Sequence, residues 1–302
     1  MAAGYPVKTV LRICKVPRST YYYRLQHPTI TPATRGGRPV PGYSWNHRGE
    51  KISDARIKSY IRHLLSQEEE SCYGYRKLTL CLRRQYKLRI NKKKVYRLCK
   101  LLGVLQPQRE VKNSVPRKVA NNRVVTGPNQ LWQMDIKYGY VTGLRRHFYL
   151  ASIIDVYDRG IVTHFRGKSC DTKAILQMVQ KALLKRNVHV NEHRLVIRTD
   201  NGPQFCSHAF HAFSNEMGFE HERTPNRTPN KNAYIESFHS VLERECYQRN
   251  VFETYEQAFA VVDRYIRFYN ERRIHGSLQD LSPAEYLSKH LNGLIKPREI
   301  AL

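Results

Sequence analysis

The order of hydrophobic patterns along the chain predicts an α/β protein, a mixed sheet flanked by helices and preceded by a small all-α domain. Three observations carry this. The stretch LWQMDIKYGYV alternates apolar and polar side chains with the period of two that belongs to a strand. The patterns from there on run strand, strand, strand, helix, strand, helix, strand, helix, which describes a sheet layered with helices. Ahead of it the patterns are helical and carry most of the positive charge: residues 1–125 hold 28 basic and 6 acidic side chains, net +22, against net +5 for residues 126–302.

The composition narrows the class. The 302 residues, 41% hydrophobic, can bury one large core and smaller ones. The formal net charge of +27 points to a polyanionic partner such as nucleic acid. No stretch approaches the roughly 18 apolar residues of a membrane helix, and the first twenty residues lack an apolar signal core. A soluble, intracellular protein without a membrane partner is expected. The seven cysteines are odd in number and never form a Cys-x-x-Cys pair, which suits reduced thiols. Cys206, His208 and His211 lie close in sequence but lack the paired spacing of a structural zinc site.

Residues 1–26 read as a partial helix-turn-helix: a helix end, a break at Pro17, and a short helix capped by Ser19 or Thr20. Residues 27–49 hold four prolines and four glycines and are expected to be a flexible linker. A helix-turn-helix DNA-binding domain is expected over 50–108. Its first helix is capped by Ser53 and buries Ile57, Ile61, Leu64 and Leu65; a second spans about 75 to 86. A third, near 91 to 102, is capped by Asn91 and buries Val95, Leu98 and Leu102, leaving Lys92, Lys93, Lys94, Arg97 and Lys100 on its exposed positions. A basic second helix of a helical pair fits one that enters the major groove of double-stranded DNA. Residues 109–126 read as a second, basic linker.

The large α/β domain is expected over 127–247. Trp132, Met134, Ile136 and Tyr138 alternate with Gln133, Asp135 and Lys137, so Asp135 points away from the apolar side. Two more strands follow, with turns near Gly143 and Gly160, then a helix over 171–187 capped by Asp171 or Thr172. The run LVIRTD forms a fourth strand and delivers Asp200 to its end, where Asn201, Gly202 and Pro203 bend the chain away. Phe205 beyond the turn is expected to pack. After a helix near 207–217, a short strand near 219–223 and a polar loop comes a long helix over 233–247. It buries Ile235, Phe238, Leu242 and Cys246 and carries Glu236, His239, Ser240 and Glu243 together on an adjoining face. Residues 248–302 read as a helical extension of this domain, with Pro283 in the first turn of the last helix.

Three carboxylates stand out by context: Asp135 inside a strand, Asp200 at a strand end and Glu236 near a helix start, with 35 residues between Asp200 and Glu236. With YGYRKLTLCLRR, INKKKVYRLCKLLGV, LWQMDI, TDNGPQF, NAYIESFHSVLERE and YNERRIHGSLQDLSPAEY on the page, the chain resembles the insertion-sequence transposases related to retroviral integrases, specifically the OrfB-type subunit of the IS-three group. The resemblance runs from about residue 50 to residue 290. It implies an RNase H-like integrase catalytic core whose D-D-E triad falls on Asp135, Asp200 and Glu236.

The resemblance further implies a transposase subunit that cuts insertion-sequence ends and joins them to target DNA, in the cytoplasm of a bacterium and on its nucleoid. Phosphodiester cleavage and strand transfer need a nucleophilic oxygen to attack phosphorus while another leaves in line, a task for two divalent ions about 3.5 to 4 Å apart. Mg²⁺ or Mn²⁺ suits carboxylate ligands. Asp135 is expected to bridge both ions, Asp200 to hold one and Glu236 the other. Relatives place a Lys or Arg seven residues after the glutamate, where this chain has Glu243; Arg244, or Arg227 and Lys231 in the preceding loop, are the candidate replacements for that DNA contact. His275 is expected to serve as a structural hydrogen-bonding group. A homo-oligomer, and an upstream-frame OrfA-type helix-turn-helix partner or fusion, are implied as well. The competing readings are a DNA-binding regulator with an inert core and an RNase H-type nuclease, the latter opposed by the duplex-reading helices ahead of the core.

Overall fold

The computed structural model describes residues 6–14, 16–26, 41–107, 123–188, 195–224 and 232–301. Two short helices open it, α1 (Val7–Ile13) and α2 (Arg18–Gln26). Helix α2 starts at Arg18, and the Pro17 carbonyl accepts from Tyr21 N, so the helix begins ahead of the expected Ser19 or Thr20 cap. The stretch expected as a linker lies outside the described residues over 27–40. Further on it is folded: β1 (Tyr43–Asn46) and β2 (Lys51–Ser53) form a hairpin.

Helix α3 (Asp54–Ser66) follows directly, with the Ser53 hydroxyl accepting from Arg56 N. Then come α4 (Tyr75–Gln85), β3 (Leu88–Arg89) and α5 (Lys92–Leu101), whose cap Asn91 accepts from Lys93 N. Strand β3 adds to β1, pairing Trp45 with Arg89. A small sheet, ordered β2-β1-β3, therefore backs the three helices of the domain expected to be all-α.

After β4 (Val124–Val125) the large sheet begins with β5 (Leu131–Val141), β6 (Arg146–Asp155) and β7 (Ile161–Gly167). Then follow α6 (Thr172–Lys185), β8 (Val196–Thr199), α7 (His208–Met217), β9 (Glu220–Arg223), α8 (Ala233–Glu245), α9 (Tyr255–Glu271), α10 (Pro283–Leu291) and β10 (Ile300–Ala301). The strand order is β7-β6-β5-β8-β9, antiparallel through β5 and parallel from β5 to β9. This is the mixed α/β sheet layered with helices that the pattern order predicts.

Alternation along β5 and β6 sends two sets of side chains to opposite faces. Trp132, Met134 and Ile153 pack with Ile175 and Val179 of α6 and Phe210 of α7. Phe148, Leu150 and Ile154 pack with Ile235, Phe238 and Leu242 of α8 and Val262 and Ile266 of α9. Each such fully buried side chain contributes about 1.5–3 kcal/mol. Gly139 is dictated by this packing: a Cβ there would stand 2.1 Å from the Phe148 ring.

The same apolar cluster continues without a break into Ile57, Ile61, Leu78, Leu82, Val95 and Leu98, so the front helices are docked on α8 and α9. The acidic run after α3 fastens this contact, with Glu68 2.5 Å from Arg264 of α9 and Glu69 3.2 Å from Arg272 just past its end. Among the described residues no helix is long and apolar enough to cross a membrane.

Candidate active site between strands β5 and β8 and helix α8

Strand β8 lies parallel beside β5 with Gln133 opposite Arg198, where the pairing ends. Two residues further on, Asp135 and Asp200 stand at the same level of neighbouring strands. Adjacent strands are about 4.8 Å apart. The Asp200 carboxyl is pushed above its ordinary value, first by burial and in part by the Asp135 charge.

The turn after Asp200 has the geometry that its residues dictate. Asp200 Oδ1 accepts from Gly202 N at 2.9 Å, and the Gly202 carbonyl accepts from Phe205 N and Cys206 N. A Cβ at residue 202 would sit 3.0 Å from Asp200 Oδ1 and crowd the carboxylate, so glycine leaves it room. Asn201 Nδ2 donates to the Thr224 carbonyl at 2.8 Å and ties the turn to the end of β9. Phe205 is buried in the core beside Phe210, as expected.

Helix α8 is laid along β5 by contacts at three successive levels. Gln133 is fully buried, and its Oε1 accepts from Tyr234 N at 3.0 Å and Ile235 N at 3.1 Å, satisfying donors that a helix start leaves open. Asp135 Oδ2 lies 3.4 Å from Nδ1 of the buried His239. Lys137 Nζ lies 2.8 Å from Glu243. Glu236 is one turn before His239 on the same helix, exposed, and so follows from the fixing of that helix.

Asp135 and Asp200 are thus brought together directly, and Glu236 through α8. Among the described residues no three His, Cys, Asp or Glu side chains form a closed set that could hold an ion as they stand. The donor chemistry nevertheless suits a hard cation. Two like-charged carboxylates meet on adjacent strands, a third stands on the neighbouring helix, and the charge of one already perturbs the other.

The expected DNA-contact residues separate into groups. Lys92, Lys93 and Lys100 are exposed on α5. Lys94 and Arg97 are turned inward, which corrects the expectation of an exposed row: Lys94 Nζ lies 2.6 Å from Asp54 and donates to the Tyr43 carbonyl, and Arg97 lies 3.3 Å from Asp54. Arg244 is exposed and stands 3.3 Å from Glu245. Arg227 and Lys231 lie outside the described residues. His275 bridges by backbone to Leu281, and its ring is 3.3 Å from Arg273; burial and the Arg273 charge push it down to about 3.

Gln133, His239 and Lys137 were not legible as site residues. The period of two places Gln133 and Lys137 on the face of Asp135, but only the docking of α8 gives them partners.

Residues 125–229 and 217–283 match the family described as Integrase core domain, and residues 52–112 match HTH-like domain. The putative transposase InsK of insertion sequence element IS150 from Escherichia coli K12 is 28% identical over 292 residues, covering 93% of each chain. An uncharacterized 31 kDa protein of insertion element IS600 from Shigella sonnei is 27% identical over 293 residues, 91% of this chain and 96% of that one. Among solved structures, the HTLV-2 integrase catalytic core domain in complex with magnesium matches at a TM-score of 0.42 and 14% identity, over 53% of this chain and 97% of that one.

Proposed function

Because this chain belongs to the insertion-sequence transposases of the IS-three group, OrfB type, we propose that Asp135, Asp200 and Glu236 are the D-D-E triad of its polynucleotidyl transfer. The observation that carries this reading is the meeting of Asp135 and Asp200 on adjacent strands beneath the helix that bears Glu236. Held by these oxygens, Mg²⁺ or Mn²⁺, as a pair with DNA bound, would activate the attacking oxygen and neutralise charge on the leaving one.

The reaction forms a P–O bond to water or to a DNA 3′ hydroxyl and breaks a P–O3′ bond, the leaving oxygen taking a proton. The chain's own part is positional. The Asp200 turn fixes one carboxylate at the mouth of the sheet, His239 braces Asp135, and Gln133 sets the height of α8 and with it Glu236. Preorganisation of this kind keeps charged oxygens aimed where charge develops.

The substrate is double-stranded DNA, at the element ends and the target, with Lys92, Lys93 and Lys100 as phosphate contacts of the front domain. A homo-oligomer and an upstream-frame OrfA-type partner or fusion complete the assembly, which works in the bacterial cytoplasm. Asp200→Asn is expected to abolish strand transfer of labelled element ends and to weaken Mn²⁺ binding measured by calorimetry, while leaving DNA binding intact. Undiminished joining by that variant would overturn the assignment.

A further inference from the structure

Strand β5 pairs with β8 only from Leu131 to Gln133, so its edge on that side is free of strand partners from Met134 onward among the described residues. Beyond Asp135, and on the sheet face opposite α8, β5 carries Tyr138 and Tyr140, 58% and 46% exposed. Each meets a ring directly across on β6. Tyr138 packs edge-on against Tyr149 with centroids 5.0 Å apart, and Tyr140 against His147 at 5.1 Å.

At the tip of the same hairpin Arg145 and Arg146 are exposed and form no ion pair among the described residues. The acid close by, Glu253, packs against Gly143. The tip is also held: Thr142 N donates to the Phe252 carbonyl at 2.7 Å, fastening the hairpin to the segment before α9. These are rigid, supported rings with exposed cations at the hairpin tip beyond them, Arg145 in the turn and Arg146 opposite Val141 on the other face, on a chain of net charge +27.

We infer that this open hairpin face is a stacking site for unpaired bases of a single DNA strand. Every base presents a π-face, and aromatic platforms flanked by cations bind single strands without reading sequence. Tyr138 and Tyr140 are about 6.6 Å apart along the strand. That is close to twice the 3.4 Å rise per base of a stacked strand, so successive bases of a stretched strand each meet one ring. The site begins three residues, about 10 Å, from Asp135 along β5. Its use during end processing rests on the catalytic reading above; the stacking itself does not. Arg145 and Arg146 favour a polyanion over a second copy of this chain, which would bring the same charges.

The test uses the full chain and two DNA probes, a blunt duplex and the same duplex with an unpaired tail containing 2-aminopurine. The protein is expected to bind the tailed probe about tenfold more tightly and to quench the tail fluorescence. Tyr138→Ala with Tyr140→Ala should erase the difference and leave blunt binding unchanged, and Tyr138→Phe with Tyr140→Phe should keep it. A tail preference that survives the alanine pair overturns the proposal, as does one lost equally in the phenylalanine pair. A change in sedimentation of the DNA-free alanine variant, with tail preference intact, assigns the face to protein contact instead. Asp200→Asn should retain the tail preference, so failure of the catalytic reading and failure of this one are told apart.

Discussion

Replacing Gln133 with Ala tests how the helix carrying Glu236 is held. The Gln133 side chain is fully buried and its carbonyl oxygen satisfies two helix-start N–H groups at 3.0 and 3.1 Å. Losing two neutral hydrogen bonds and leaving the donors buried costs about 2–4 kcal/mol. For a cooperative body of this size that lowers the melting temperature by about 3–6 °C. The larger consequence is positional, because a displacement near 1 Å in a catalytic group costs on the order of 100-fold. Thermal unfolding by circular dichroism and joining of labelled ends at 25 °C are the assays. Ser282→Ala is the control: it removes the capping box of α10, costs about 1 kcal/mol, and should leave joining unchanged. A Gln133→Ala protein that melts lower yet joins at the unaltered rate would refute the positional argument.

Three further outcomes are expected. Lys93→Ala should weaken duplex binding and flatten its dependence on log salt by about 0.9, whereas Lys94→Ala should leave that slope unchanged and lower stability, because its ammonium is held by Asp54. A loss of slope in the Lys94 variant would contradict the inward placement. Glu245→Gln should destabilise the fold by about 3–5 kcal/mol, since Glu245 and Arg273 form a buried pair at 2.7 Å. Burial alone would raise the Glu245 carboxyl, but the hydrogen bonds and charge of Arg273 hold it down to about 2, so its contribution is present above pH 4.5 and lost as pH falls toward 2. His275 and His221, pushed by burial down to about 3 and about 4, stay neutral in the fold; their contribution is lost from pH 6.5 downward. The urea midpoint should therefore begin to fall below pH 6.5 and steepen below pH 4.5, and a midpoint flat from pH 7 to 4 would contradict both assignments.

What could be seen in the chain beforehand was whatever local pattern encodes. The alternation in β5, the caps Ser53, Asn91 and Asp171, and the buried stripe of α8 each depend on neighbours a few residues away, and each stands where the pattern puts it. Contacts between distant segments were not visible. Strands β1 and β3 join residue 45 to residue 89, and neither is long enough to display a period. Lys94 and Arg97 border the apolar stripe of α5, and only the folded position of Asp54, about 40 residues earlier, turns them inward. His239 reads as part of a polar face because nothing in α8 announces that Asp135 lies against it. Asp135, Asp200 and Glu236 stand out in the sequence by their setting, a strand interior, a strand end and a helix start, and only the family resemblance gives them a shared role; the residues packed around them, Gln133, His239 and Lys137, carry no such local signal.

The most direct test of the account is the anomalous scattering of Mn²⁺ in crystals of the protein bound to an element end. Manganese density in contact with the carboxylates of Asp135, Asp200 and Glu236 is the predicted result. Manganese absent from that cleft in an actively joining complex, or held there without Asp135 and Asp200 sharing an ion, would contradict it.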